Sequence, residues 1–232
     1  MRVPDEAVGM DTRDRLLNAA GEVFAANGFH NATVRDICSK ARANVAAINY
    51  HFGDKEALYS EVLHFSFQFA LEKYPLGIGT APGDSADKRL HAFVRNYLDR
   101  LLDDGRPAWH GQLIAREMAD PTHALDSVIE NFVRPQYAGL REIVADLLGL
   151  EAGEQALSLA VCTVVSQCVF HKQCRPVLKL LMPENDYSPA GRERLASYIT
   201  TITLSGLRAA STNFAPARNV TKVDQPVSLA TN

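Results

Sequence analysis

The stretch that decides the fold reads Thr33-Val-Arg-Asp-Ile-Cys-Ser-Lys-Ala-Arg-Ala-Asn-Val-Ala-Ala-Ile-Asn-Tyr-His-Phe52. Thr33 and Asn44 are both good helix N-caps, because their side-chain oxygens accept hydrogen bonds from the unpaired N–H groups of a first helical turn. Asp36 stands three residues after Thr33, where its carboxylate suits the positive end of a helix dipole. Two short helices joined by a tight turn are therefore predicted, with the spacing of a helix-turn-helix.

The second of these helices carries amides and aromatic side chains where a short surface helix usually carries charges. An asparagine pairs bidentately with adenine, a small apolar residue contacts a thymine methyl group, and hydroxyl, imidazole and ammonium groups donate to phosphate oxygens. We therefore predict that the bases are contacted by Asn44, Val45 and Asn49. The predicted contacts to the phosphate backbone are Thr33, Tyr50, His51 and Lys55, with Arg35 as a further contact.

Several residues of this region also have a purely structural interpretation. Ile48 and Phe52 are better explained as packing residues of the small domain, and Arg35 and Lys40 are most simply solvated surface charges. Taken singly, an amide or a phenol is an ordinary surface group. As a set on one short helix behind a capped partner, these groups favour contact with DNA.

Outward from this stretch, nearly every segment has apolar residues at helical spacing, and no convincing strand alternation competes with them. Glycine and proline residues divide the chain where one helix ends and another begins. The prediction is an all-α protein of about nine helices. The predicted helices cover residues 12–26, 33–41, 44–51, 85–103, 107–118, 125–148, 154–181 and 189–210, with one more that starts near Asp54.

These helices divide the chain into four regions. Residues 12–55 form the helix-turn-helix domain, and residues 56–210 form a helical body. Residues 1–11 and the polar, aperiodic residues 211–232 are predicted to be disordered.

Composition narrows the class of protein. Of the 232 residues 47% are hydrophobic, which is enough for a packed core. The most apolar segment, Ala156 to Phe170, is interrupted by hydroxyl and amide side chains, so it is predicted to be a buried helix and not a membrane span. The first 11 residues have no apolar core for a secretory signal, so a cytoplasmic protein is expected. A net charge of -3 argues against indiscriminate coating of nucleic acid but permits a local basic face.

Metal binding and catalysis are not predicted, and no cofactor is expected. Cys168 and His171 share a helix face, but Cys174 lies on another side, so one helix cannot direct all three at a metal ion. His110 and Glu117 lie seven residues apart as a possible acid-base pair, yet no nucleophile motif or phosphate loop accompanies them. Reduced thiols are the default for all four cysteines, which are Cys38, Cys162, Cys168 and Cys174.

The segment Thr33 to Ala41, followed by Asn44 to Phe52 and Gly53-Asp-Lys-Glu-Ala-Leu-Tyr59, resembles the DNA-binding domain of TetR/AcrR-family transcriptional regulators. The resemblance covers roughly residues 12 to 60. It implies that the second helix of the motif enters the major groove, and that Tyr50, His51 and Lys55 hold phosphates. Two segments of the body, Arg116-Glu-Met-Ala-Asp-Pro-Thr122 and Ser166-Gln-Cys-Val-Phe170, are similar to the CecR-like, PsrA-related C-terminal domain.

One position departs from the pattern of that family. The usual Gly-Val turn between the two short helices is here Arg42-Ala43. A residue with a side chain in a left-handed turn costs about 1 kcal/mol relative to glycine. Arg42 offsets part of this cost if it complements the helix C-terminus or reaches a phosphate.

The resemblance also implies that the body binds ligand and dimerises. In this family the last two long helices pair with their copies in a four-helix bundle, which here implies Ala156 to Phe170 and Leu195 to Leu207. A homodimer places two recognition helices roughly 34 to 36 Å apart and prefers a pseudo-palindromic operator. The common mode of the family is a repressor that a small-molecule effector releases from double-stranded DNA.

An effector pocket is implied as well, and the sequence offers candidates for its lining. They are aromatic side chains with a few polar groups among them. Taken singly, each aromatic residue is better explained as core, and Arg116 as a charge paired with Glu117, although Arg116 also suits an anionic head group. The candidates are Phe65, Phe69, Trp109, Gln112, Arg116, Gln167 and Phe170.

Two alternatives stay open at this point. A DNA-binding regulator that responds to oxidants or metals would use cysteines such as Cys168 or Cys174 in place of an organic effector. A helical protein-interaction module would bind no duplex, whereas a regulator that contacts several phosphates loses affinity steeply as the salt concentration rises.

Overall fold

The computed structural model describes residues 11–75, 77–103, 107–149 and 153–213, and over these residues all regular structure is helical. Residues 1–11 and 211–232, which are predicted to be disordered, therefore lie mostly outside the described residues. The short helix α7, a π-helical turn over Ile129–Val133 and α8 follow one another without a break, so the described residues hold ten separate helices. The predicted all-α fold is confirmed. The helices are α1 (Thr12–Asn31), α2 (Val34–Ala41), α3 (Val45–His51), α4 (Lys55–Lys73), α5 (Ala86–Leu102), α6 (Ala108–Ala119), α7 (Ala124–Val128), α8 (Arg134–Leu148), α9 (Glu154–Gln173), α10 (Arg175–Leu181) and α11 (Pro189–Asn213).

The first core is built by α1, α2, α3 and the first half of α4, together with buried residues of α6 and α7. Leu16, Phe24, Ile37 and Leu58 are fully buried in it. Burial of each such side chain contributes about 1.5–3 kcal/mol relative to exposure. Ile48 of α3 is fully buried in this core, the C-cap Phe52 is buried beside it, and Ala47 packs against it.

The caps form as the sequence predicts. The Thr33 hydroxyl accepts from the N–H of Asp36 at 3.1 Å and donates to its carboxylate at 2.6 Å. Asn44 Oδ1 accepts from the N–H of Ala46 at 3.0 Å and starts α3. These bonds hold both ends of the turn between α2 and α3.

The turn itself passes through Arg42, which has φ 51° and ψ 47°. This is the left-handed region that favours glycine, so the departure from the family pattern changes the residue and keeps the turn. The N–H of Arg42 bonds to the carbonyls of Cys38 and Ser39, and the N–H of Ala43 bonds to the carbonyl of Cys38 at 2.9 Å. Four backbone groups thus close α2 and set the angle at which α3 leaves it.

The second core belongs to the body and is formed by α5, α8, α9 and α11. Leu90, Leu98, Leu140, Val164 and Ala196 are fully buried there. An ion-pair network ties α5 to the start of α11. In it the buried Asp99 accepts from Arg95 at 2.8 Å and from Arg192. None of the helices among the described residues is long and apolar enough to cross a membrane.

Two predicted helices of the body are interrupted. The helix predicted over 154–181 breaks at Cys174, because Pro176 has no N–H for the ladder of hydrogen bonds. The helix predicted over 125–148 contains the π-helical turn, where the N–H of Arg134 bonds to the carbonyl of Ile129 just before Pro135. The last helix continues past Ala210 to Asn213.

Candidate nucleic-acid interface

The solvent face of α3 consists of the residues predicted to contact DNA. Tyr50 is 85% exposed, and Asn49 and Val45 are exposed as well. His51 is half-buried, with its ring 4.9 Å from the Tyr50 ring in an edge-to-face arrangement. The solvent face of α3 therefore offers an uncharged, hydrogen-bonding surface of the kind that fits a DNA groove.

The side-chain amide of Asn44 has an oxygen and an NH₂ group, and only the oxygen is used within the described residues. Its carbonyl oxygen is used by the cap of α3. The remaining group is the amide NH₂, which donates hydrogen bonds and does not accept them. If Asn44 contacts a base through this group, as predicted, the partner is an acceptor such as a purine N7 or a guanine O6.

The predicted phosphate contacts on α2 lie at its N-terminal end. Thr33 and Arg35 are both exposed, but the Thr33 hydroxyl already donates its proton to Asp36, so the donors left here for a phosphate are Arg35 and the N-terminal N–H groups of α2. Lys40, in contrast, is paired with Glu22 of α1 at the surface. This pairing agrees with the interpretation of Lys40 as an ordinary surface charge.

Lys55 is held differently from the other predicted contacts. Its ammonium group donates to the carbonyls of Phe29 at 3.0 Å and Ala32 at 3.2 Å, and it lies 4.5 Å from the centre of the Phe29 ring. Gly28, with φ 76°, breaks the helical path of α1 just before these carbonyls. Lys55 thus joins the end of α1 to the start of α4, and an ammonium group has a third N–H to give to a phosphate.

The structure brings three of the candidate effector contacts together. Phe65 lies 6.4 Å from Phe69 and 6.5 Å from Trp109, measured between ring centres. His110 joins this aromatic cluster, 5.8 Å from Phe65 and 5.5 Å from Phe69. Gln112 is exposed on the same helix as Trp109, α6.

The other three candidates lie apart from the aromatic cluster. Arg116 reaches α1, where its guanidinium donates to the carbonyls of Ala25 at 2.6 Å and Ala26 at 2.7 Å. Gln167 bonds to Thr203 of α11 at 3.1 Å. Phe170 is exposed on the outer side of α9.

A buried cluster of hydrogen bonds around Glu117, the polar node, connects α6 with α4 and was not predicted from the sequence. Glu117 is fully buried, and its carboxylate accepts from the Tyr59 hydroxyl at 2.6 Å and from the N–H and hydroxyl of Thr122 at 2.8 and 3.0 Å. Burial, together with this bond to Glu117, raises the pKa of Tyr59. A carboxylate with three donors is satisfied inside the protein, so the node fixes α6 against the end of the DNA-binding domain.

Two of the four cysteines, Cys38 and Cys168, are poorly suited to sensing, whereas Cys162 is exposed and Cys174 is partly exposed. Cys168 is fully buried, and burial raises the pKa of its thiol to about 12, so the reactive thiolate is scarce at neutral pH. Burial also raises the pKa of Cys38. Within the described residues no group of histidine, cysteine and acidic side chains is arranged to hold a metal ion.

A capped helix-turn-helix that exposes the polar face of its second helix, packed against a larger helical body, defines the class of DNA-binding proteins. Residues 16–62 match the model of the tetR family of bacterial regulatory proteins. Residues 86–210, more than half of the chain, match the C-terminal domain of the transcriptional dual regulator CecR. The chain belongs to the TetR family of DNA-binding transcriptional regulators and carries a CecR-type C-terminal domain.

Individual relatives agree with this assignment. The transcriptional repressor NicS of Pseudomonas putida is 27% identical over 201 residues, which cover 85% of this chain and 92% of NicS. CecR of Shigella flexneri is 27% identical over 68% of this chain and 74% of its own. The fold is shared with a tetR-family regulatory protein from Rhodococcus at a TM-score of 0.63 and 17% identity, over 85% of this chain and 97% of the other. It is also shared with the TetR-family regulator PfmR from Thermus thermophilus at a TM-score of 0.58 and 17% identity, over 84% and 96%.

Proposed function

We propose that this protein is a repressor that binds a pseudo-palindromic operator as a homodimer and is released by a small-molecule effector. The observation that carries the proposal is the exposed, uncharged, hydrogen-bonding face of α3. In this proposal the bases are contacted by Asn44, Val45 and Asn49, and the phosphates by Thr33, Arg35, Tyr50, His51 and Lys55. The similarity to the repressor NicS supports repression, and the similarity to the dual regulator CecR is compatible with it.

The homodimer is supported by the outer faces of α9 and α11. Neither Gln155 to Phe170 nor Leu195 to Leu207 contains a charged residue. Leu159 of α9 and Tyr198 and Ile202 of α11 are nonetheless exposed on the single chain. Depletion of charge together with exposed aliphatic and aromatic side chains is typical of the core of a protein interface.

Effector release is supported by the position of α6. This helix carries Trp109 of the aromatic cluster at one end, and Arg116 and Glu117 at the other, where they contact α1 and α4. A ligand that inserts beside Phe65 and Trp109 would displace α6 and, through these contacts, the recognition helix. The ligand lowers the affinity for DNA only if it binds one position of α6 more tightly than the other. The size of the effect is limited by the difference between the two binding free energies.

The proposal is tested by duplex binding of the wild type and of Tyr50→Ala across a salt series, on the DNA upstream of the protein's own gene. The wild type is expected to lose affinity steeply as salt rises, because its cationic contacts release counterions. Tyr50→Ala removes a neutral donor, so its affinity is expected to fall about tenfold at every salt concentration with little change in slope. Tyr137→Ala, a similar truncation on the body, is the control. Equal binding by all three proteins would overturn the role of α3.

A further inference from the structure

The short helix α10 exposes an apolar side to solvent. Leu180 is 86% exposed, Leu181 70% and Val177 54%. On the opposite side Leu178 is buried, while Arg175 and Lys179 line a polar cleft against the segment that leads into α11. Three large apolar residues exposed on one short helix are unusual for a surface helix.

The inward side of α10 is already occupied. The Arg175 guanidinium lies 5.2 Å from the centre of the Tyr187 ring, and the neighbouring Arg192 donates to the carbonyl of Tyr187 at 2.9 Å. These contacts orient α10 and leave its apolar side facing solvent. A contiguous exposed apolar surface of this kind marks an interaction site.

The apolar side of α10 continues the outer face of α9. From Leu159 the outward residues Thr163, Ser166 and Phe170 follow at spacings of four, three and four, and Val177 and Leu181 follow at seven and four. This is the heptad spacing of a single helix face. The break at Cys174 preserves it, because the N–H of Cys174 bonds to the carbonyl of Phe170 at 2.9 Å and the N–H of Leu178 to the carbonyl of Cys174 at 2.8 Å.

We propose that α10 is part of the dimer interface, where Val177, Leu180 and Leu181 pack on a second copy of this chain. The inference rests on the proposed homodimer and extends its interface beyond α9 and α11. A second copy is the occupant because the stripe runs unbroken from α9 onto α10, and a two-fold axis brings each such stripe against the same partner. The interface then covers the apolar side of α10, which is exposed on the single chain.

The test is the dimer dissociation constant, measured by sedimentation of the full chain. Three variants are compared with the wild type: the double variant Leu180→Ser with Leu181→Ser, the double variant Tyr198→Ser with Ile202→Ser, and the single control Ile78→Ser, which alters an exposed apolar residue of the α4–α5 loop. The two double variants are expected to raise the dissociation constant at least about tenfold, and the control is expected to leave it unchanged. Helical circular dichroism at equal concentration verifies that each variant is folded.

The two proposals fail in different ways. If Tyr198→Ser with Ile202→Ser weakens the dimer while Leu180→Ser with Leu181→Ser does not, the dimer stands and the extension through α10 is overturned. If the wild type sediments as a monomer at every concentration, the homodimer and its extension are overturned together.

Discussion

Replacement of Asn49 by aspartate is expected to lower the affinity for operator DNA at least about 100-fold without a change in the unfolding temperature. The two side chains have the same shape and position 49 is exposed, so the stability of the fold is expected to stay the same. In the proposed complex with DNA, however, the substitution removes the amide donor and places a negative charge in each of two grooves. A loss of about 1.4 kcal/mol or more per recognition helix gives the expected factor. Fluorescence anisotropy of a labelled duplex measures it.

The matched control for this variant is Asn185→Asp. Asn185 is exposed in the loop before α11, so the change in net charge is the same and only the place differs. Its operator affinity is expected to stay within about twofold of the wild type at physiological salt, because charges separated by more than about 8 Å of solvent are screened. Equal losses in both variants would mean that net charge matters and α3 does not.

Gly21→Ala is expected to destabilise the protein by about 2 kcal/mol, although the substitution usually stabilises a helix. A Cβ at position 21 of α1 would lie 2.5 to 2.6 Å from three ring carbons of Trp109, so the indole must move. Overpacking of this kind costs about 1–3 kcal/mol. Chemical denaturation measures the loss in the free energy of unfolding.

The control is the same substitution in α8. Nothing lies within 4 Å of a Cβ at Gly139, so Gly139→Ala is expected to stabilise the protein by about 0.5–1 kcal/mol. Because the Trp109 ring separates α6 from α1, Gly21→Ala is also expected to weaken DNA binding, whereas Gly139→Ala is not. If both variants stabilise the protein, the close contact between α1 and α6 does not exist in solution.

The parts that the sequence predicts well are those set by local chemistry. The caps at Thr33 and Asn44 depend on bonds to N–H groups two or three residues away, so their residue types suffice to place α2 and α3. The burial of Ile48 follows from the apolar period of the same short segment. Because Ile48 faces the core, the helical period places Asn49 and Tyr50 on the side that faces solvent.

The parts that the sequence misses depend on partners far along the chain. Tyr59 and Glu117 are 58 positions apart, and the contact of Arg116 with Ala25 spans 91 positions. Adjacent Arg116 and Glu117 have the composition of an ion pair at the surface. The packing of α6 shows instead that Arg116 bonds to α1 and Glu117 to α4. The break at Cys174 does have a local signal, because Pro176 is one of the breakers in the sequence and has no N–H for the hydrogen-bond ladder. The apolar stripe that continues in phase nevertheless predicts one helix over 154–181, and in this the prediction is wrong.

The most direct test of the central claim is selection of genomic DNA fragments by the wild-type protein, with Asn49→Asp as the parallel sample. The account predicts enrichment of fragments that share an inverted repeat, with half-site centres about 10 base pairs or a multiple of that apart, and loss of this enrichment in Asn49→Asp. Absence of any enriched sequence in the wild-type sample, or the same enriched sequence in both samples, would contradict the conclusion that α3 selects the operator.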